Sequence, residues 1–272
     1  MAKRQLRIMA VGAHPDDCEL TTGGTCLLYA AAGHAVKYVY ATSGDAGHHK
    51  LDQAELAKVR AEEARRACAV GGFDHEFMDN RDGYLEASIK NRDALIRIIR
   101  AFRPDIIFTH RTNDYHSDHR CAALIVQDTA YLLMVPKICP DVPALDYAPV
   151  IMQVADSFRK PLPFQADIAV AIDPVMEQKV RMLDCHRSQF YEWLPWISRE
   201  ADAVPADPQA RLAWLSRKAA ERDAALADRV RPLLDQRYGR DASQRIQYAE
   251  AFELSEYGGH PTEQELQAYF PF

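Results

Sequence analysis

Residues 6–20 read Leu6-Arg7-Ile8-Met9-Ala10-Val11-Gly12-Ala13-His14-Pro15-Asp16-Asp17-Cys18-Glu19-Leu20. The run over 6–12 is nearly continuous in apolar side chains. That is the pattern of a parallel strand covered on both faces, not of a strand with one wet side. It stops abruptly in a polar cluster. Outward from it the chain alternates strand-like and helix-like stretches. Further strands are predicted over 35–42, near 76–78, and over 105–110, 149–156 and 166–173. Helices are predicted over 23–32, with Gly33 as a stop, and over 53–69, 88–102, 119–134, 174–187 and 208–236. Strands alternating with helices predict an α/β fold, a mostly parallel sheet with helices on both faces joined by right-handed crossovers.

The 272 residues, 48% hydrophobic and 26% charged, suffice for one large α/β domain. Net charge −6 with no basic run argues against a nucleic-acid partner, which needs clustered Lys and Arg. No window holds about 18 consecutive apolar residues, so no membrane span is expected. The six cysteines are scattered without a C-x-x-C pair, and free thiols in a reducing, cytoplasmic setting are the expectation. No repeat or linker divides the chain. One domain over 1–272 is predicted, mainly helical from about residue 205.

Two polar clusters carry the chemistry. His14-Pro15-Asp16-Asp17 sets an imidazole and two carboxylates at a strand exit. They can serve as metal ligands and base together, or as a loop with an Asp cap for the next helix. The second cluster, Asn113 to Arg120, follows the strand ending at His110. His116 and His119, three apart at a helix start, can face one site, or be solvated loop histidines. Both clusters fall at carboxyl ends of strands in one sheet, where such sheets place their sites. Two imidazoles and a carboxylate around an open position make the ligand set of a catalytic Zn²⁺.

The stretch Ala13-His14-Pro15-Asp16-Asp17-Cys18-Glu19, the turn Gly23-Gly24-Thr25 and then His116-Ser117-Asp118-His119 resemble the paired signatures of the LmbE/PIG-L family of zinc-dependent N-acetylsugar deacetylases. Thr42-Ser43-Gly44-Asp45, Val59-Arg60-Ala61-Glu62-Glu63, Asp82-Gly83, His186-Arg187-Ser188-Gln189-Phe190 and Tyr248-Ala249-Glu250-Ala251-Phe252 resemble further landmarks of that family. The likeness therefore runs from residue 6 to about 258. The spaced D-D-x-E form is closer to the bacillithiol-pathway type. Ser117 departs from the family's H-P-D-H, which loosens the turn without removing a ligand.

The resemblance implies a Rossmann-like three-layer sandwich. It also implies that His14, Asp17 and His119 bind the metal, with Asp16 as general base and a protonated His116 stabilising the oxyanion. Zn²⁺ is the expected metal, though Fe²⁺, Mn²⁺ and Co²⁺ suit the same donors. Asp118 would hold one imidazole by a hydrogen bond. Arg60 would reach the sugar, unless it forms a helix-surface ion pair with Glu62 or Glu63. Asp45 would bond sugar hydroxyls, unless it caps the turn after Gly44. Relatives imply a homo-oligomer, a trimer or hexamer.

The reaction expected is removal of the acetyl group from an N-acetylated amino sugar or its conjugate. The competing readings are a same-fold metal-dependent amidohydrolase of another N-acyl substrate, and a non-enzymatic sugar-binding protein. His48 and His49 are expected as solvated loop residues. The aromatic stretch 190–196 either packs under the C-terminal helix, forms an oligomer contact or walls the pocket.

Overall fold

The structure, a computed structural model, describes residues 4–272. Seven strands form one sheet: β1 (Arg7–Gly12), β2 (Ala35–Tyr40), β3 (Asp74–Phe77), β4 (Ile106–Thr109), β5 (Val150–Val154), β6 (Ile168–Ala171) and β7 (Ala249–Gly258). Their order is β3-β2-β1-β4-β5-β7-β6. The first five in that order pair in parallel. Strand β7 runs antiparallel between β5 and β6.

The apolar run that opens the chain is explained by two cores. Ile8 and Ala10 pack with one, Met9 and Val11 with the other, so every position of β1 after the exposed Arg7 is buried. The first core is roofed by α1 (Asp17–Ala31), α2 (Gln53–Gly71) and later helices, the second by α3 (Ile89–Phe102) and α4 (Ser117–Ala130). This is the expected α/β layering. The chain continues through α5 (Met176–Cys185), α6 (Leu194–Ile197), α7 (Pro208–Arg229), α8 (Arg231–Tyr238), α9 (Arg240–Ser243) and α10 (Glu263–Tyr269). Among the described residues no helix is long and apolar enough to cross a membrane.

Several boundaries differ from the sequence reading. Helix α1 starts at Asp17, not near Gly23, because Asp17 and Glu19 suit a helix N-terminus and its dipole. Gly23 and Gly24 lie mid-helix. A Cβ on Gly24 would sit 2.7 Å from Ile172 Cγ2, so glycine there allows α1 to approach the sheet layer closely. The predicted helix over 208–236 is two helices, broken at Val230 with a proline in the first turn of α8. Helix α4 begins at Ser117 with His116 as its N-cap. The C-terminal part is not only helical: after α9 it returns to the sheet as β7. That strand escaped prediction because Glu250 interrupts its apolar run, and partners distant in sequence, Lys179 and the Gly24 and Thr25 amides, make its burial tolerable.

Candidate metal centre and active site

The strand order reverses direction of winding between β1 and β4, which opens a crevice beyond their carboxyl ends. The loop leaving β1 carries His14, Asp16 and Asp17, and the loop leaving β4 carries His110, Asp114 and His116, with His119 in the first turn of α4. The register Val11↔Thr109 sets these exits side by side. Both clusters thus meet at one place, lining a cavity of about 680 Å³.

Asp17 is the hinge of the cluster. His14 Nδ1 lies 3.4 Å from Asp17 Oδ2, and His119 Nε2 lies 3.5 Å from Asp17 Oδ1. The two imidazoles thus meet Asp17 through different carboxylate oxygens. The far nitrogens of both rings meet carboxylates. His14 Nε2 is 3.3 Å from Asp118 Oδ2 and 3.1 Å from Asp82 Oδ1, and His119 Nδ1 is 3.1 Å from Asp114 Oδ1. A metal-binding imidazole is ordinarily oriented by such a partner. The imidazole that Asp118 holds is therefore His14, and Asp118 is itself fixed by the Gly83 amide at 2.7 Å.

Donor atoms close enough to share an ion also occur in overlapping sets: His14, His116 and His119; Asp17, His110 and His119; and His14, Asp82 and Asp118, each within 4.8 Å. The charges say why a cation fits. Asp16, Asp17, Asp82, Asp114 and Asp118 surround the four imidazoles, while Arg60 is the nearby guanidinium. Burial would keep His14 neutral, yet its hydrogen bonds to Asp118, Asp17 and Asp82 push it well above the usual imidazole range. Burial would raise Asp17, but the fields of His119 and His110 hold it well below the usual carboxylate range. Asp82 resists burial in the same way, held at about 2 by its hydrogen bond to His14. The oxygen and nitrogen donors suit a divalent cation of the borderline class.

Asp16 stands apart electrically. Burial lifts its carboxyl to about 6 against the pull of Arg60, into the range useful to a base near neutrality. Its backbone has φ 143°, a conformation costly for a non-glycine residue, held by the surrounding contacts. Arg60 supplies several of those contacts. It is almost fully buried, with Nη2 3.0 Å from Asp16 Oδ1 and 2.5 Å from the Pro15 carbonyl oxygen, and Nη1 3.3 Å from that of Gly44. The surface pairing with Glu62 or Glu63 does not form: Glu62 pairs with Arg65, and Glu63 accepts from Ser188. Gly44, at φ +66°, leaves room that a Cβ would deny, 2.5 Å from the Arg60 guanidinium.

His116 caps α4: its Nδ1 accepts the Asp118 amide at 3.2 Å, which leaves Nε2 as its other polar atom. Burial and the fields of His14 and His119 lower its pKa. Asp45 is tied to Ser43, Arg81 and the Asp82 amide, and so shapes the loop that delivers Asp82 to His14. His48 departs from the expected solvated residue: its side chain is covered and pairs with Glu192, while the half-buried His49 stacks on Trp196 with ring centroids 4.7 Å apart.

Three residues of the cluster escaped the sequence reading: His110, Asp82 and Asp114. His110 Nε2 accepts the Ala13 amide at 3.1 Å and lies 3.3 Å from Asp17. Its signal was available, an imidazole closing an apolar strand beside the strand that delivers His14. Asp114 lies inside the second polar cluster and Asp82 in a family landmark, but neither is given a role there, and only folding brings Asp82 to His14. The aromatic stretch is a one-turn π-helix, Ser188–Trp193, running into α6; Trp193 and Leu194 wall the cavity, while Tyr191 packs towards Trp214 of α7.

Comparison with known proteins accords with this geometry. Residues 9–130, from β1 through α4, match the family described as PIG-L, GlcNAc-PI de-N-acetylase. A 1D-myo-inositol 2-acetamido-2-deoxy-α-D-glucopyranoside deacetylase of Actinosynnema mirum is 31% identical over 232 residues, covering 69% of this chain and 82% of the relative. The chain belongs to the PIG-L (LmbE-like) family. Another member, deacetylase 1 of the same description from Catenulispora acidiphila, is 29% identical over 50% of this chain, which spans only about half (51%) of that relative.

Solved structures of similar fold include the N,N'-diacetylchitobiose deacetylase of Pyrococcus horikoshii, with TM-score 0.71 and 20% identity, covering 93% of this chain and 85% of that one. The 4-carboxy-2-hydroxymuconate hydratase of Pseudomonas putida is alike at TM-score 0.70 and 20% identity, covering 95% and 98%. One fold shared by a deacetylase and a hydratase does not by itself choose a reaction.

Proposed function

We propose that this family member is a metal-dependent hydrolase that removes the N-acetyl group from an N-acetylated amino sugar or its conjugate. The observation that carries the reading is the position of Asp17 between His14 and His119, with the carboxyl of Asp16 in the same cavity and outside that set. The deacetylase names of its relatives support the choice of bond. His14, Asp17 and His119 would hold the metal, Zn²⁺ or one of Fe²⁺, Mn²⁺ and Co²⁺. When bound, such an ion supplies Lewis acidity to a carbonyl and lowers the pKa of water.

The chain's own residues do the rest. Asp16, anchored through Oδ1 by Arg60, takes the proton of the attacking water on its other oxygen and returns it to the leaving amine. His116 donates from Nε2–H to the developing oxyanion, its direction fixed by the Asp118 amide on the opposite nitrogen. One such preorganised donor contributes about 3–4 kcal/mol to the transition state. Asp118 and Asp82 hold His14, and Asp114 holds His119. Arg60 serves as the clamp of Asp16 and also lines the substrate cavity. Asp45 acts on substrate only through the loop it braces.

The test is acetate release from simple N-acetylglucosaminides by protein loaded in turn with each metal. Stoichiometric metal with no acetate from any glucosaminide or other N-acyl amine would overturn the reading. The whole chain acting as one domain, in a homo-oligomer of three or six copies in the cytoplasm, completes the proposal. Light scattering of the purified protein checks the assembly.

A further inference from the structure

The cavity has two unlike halves. Its floor is the histidine and aspartate cluster. Its outer half is walled by Leu20 of α1, Tyr115 and Phe158 on one side and Trp193, Leu194 and Ile197 on the other. Tyr115 stacks towards Phe158, and Trp193 stacks on Trp196, so both aromatic walls are braced by neighbours. Leu194 and Ile197 nonetheless remain 38% and 56% exposed, and Tyr115 73%. Apolar surface gathered at a cavity mouth in this way marks a binding surface.

The charges narrow what it binds. Besides the imidazoles, the cations lining the cavity among the described residues are Arg60 and Arg111. Arg60 is taken by Asp16. Arg111 is taken by Asp156 and Glu253, each at 3.2 Å, and its remaining nitrogen donates to the Leu162 carbonyl. Among the described residues of the lining, both guanidiniums already face carboxylates, and the floor is rich in carboxylates. The aliphatic side chains Leu20, Leu194 and Ile197 give hydroxyl groups no partner. Gln189, a polar group near them, spends its amide on the Gly47 carbonyl.

From these two observations, and resting on the deacetylase reading above, we infer that the group attached to the acetylated sugar is uncharged and apolar, an aryl or alkyl aglycone lying between the Tyr115–Phe158 and Trp193–Ile197 walls. Acidic conjugates such as sugar phosphates or nucleotide sugars would meet an outer half whose arginines are already paired.

The experiment uses the full chain loaded with metal and compares the methyl, phenyl and octyl β-glycosides of N-acetylglucosamine, its disaccharide, its 6-phosphate and its nucleotide diphosphate. Expected is a kcat/KM for the phenyl or octyl glycoside about tenfold or more above the methyl glycoside, with the charged compounds below both. Trp193→Ala should bring that ratio close to one. Ile197→Asn, at an exposed position, does the same should the tryptophan variant fail to fold. Calorimetric binding of the corresponding free-amine glucosaminides is measured in parallel. Acetate release with equal kcat/KM for methyl and phenyl glycosides, or with the disaccharide or a charged compound preferred, overturns the inference and leaves the deacetylase reading standing. A phenyl preference in binding with no acetate from any compound overturns the deacetylase reading and leaves the apolar subsite standing. If the walls instead cover a second copy of this chain, the variants change the mass by light scattering without changing the glycoside ratio, and the inference fails.

Discussion

Two regions of the protein bury charge, and they do so differently. Behind α1, Lys179 is fully buried with Nζ 2.7 Å from Asp223 and 2.9 Å from Glu250. Glu250 also accepts the amides of Gly24 and Thr25, each at 2.8 Å, and Asp223 pairs with Arg222. Every charge there has a protein partner. At the crevice between β1 and β4, five carboxylates and four imidazoles face one guanidinium, and the cluster holds more acceptors than its own cations can answer. A closed set of charges fixes structure, whereas a set left with an excess of one sign is built for something that comes from outside. The trio ties β7 and α7 to α1 through α5, and the cluster is where the proposed cation and substrate would sit.

The sharpest way to break this contrast is to remove a candidate ligand. His14→Ala and His119→Ala are expected to take bound metal, read by elemental mass spectrometry, from stoichiometric to background, and acetate release with it. Added Zn²⁺ should raise the melting temperature of the metal-free parent and leave these variants unmoved, because only a native-state site is stabilised by its ligand. Asp16→Asn is expected to keep its metal and lose about 10²–10⁴-fold in kcat. Metal loss in that variant would move Asp16 from base to ligand.

In the closed region, Lys179→Met leaves two carboxylates buried without their cation and is expected to lower unfolding free energy by about 3–5 kcal/mol. Urea denaturation measures it, and the metal content of the folded fraction should not change. The smallest effect belongs to Asp118→Ala, which frees the His14 ring and is expected to weaken metal binding by about 10–100-fold, seen in competition with a chromogenic chelator. Equal sensitivity of metal binding to Lys179→Met and Asp118→Ala would erase the distinction between the two regions.

Much of the site could be read before folding because its key residues are local. His14, Asp16 and Asp17 lie within four positions, as do His116 and His119, and the apolar strands before them announce where they emerge. The other members are recruited over distance. Asp82 reaches His14 because Asp45 holds its amide, and His110 reaches Asp17 because β4 pairs with β1. Neither partnership leaves a mark in the order of residues.

The sequence by itself determined the α/β class, since nearly continuous apolar strands alternating with helical stretches require helices on both faces. It also determined the two loops that supply the candidate ligands and base. Tertiary structure decided the rest. It turned Arg60 inward to Asp16, gave Asp118 to His14, set the Asp118 amide on His116 and drew β7 into the sheet beside β5. Each of these depends on which group of opposite charge or hydrogen-bonding type is nearest after burial, and that is a property of three-dimensional packing in which residues a hundred positions apart become neighbours.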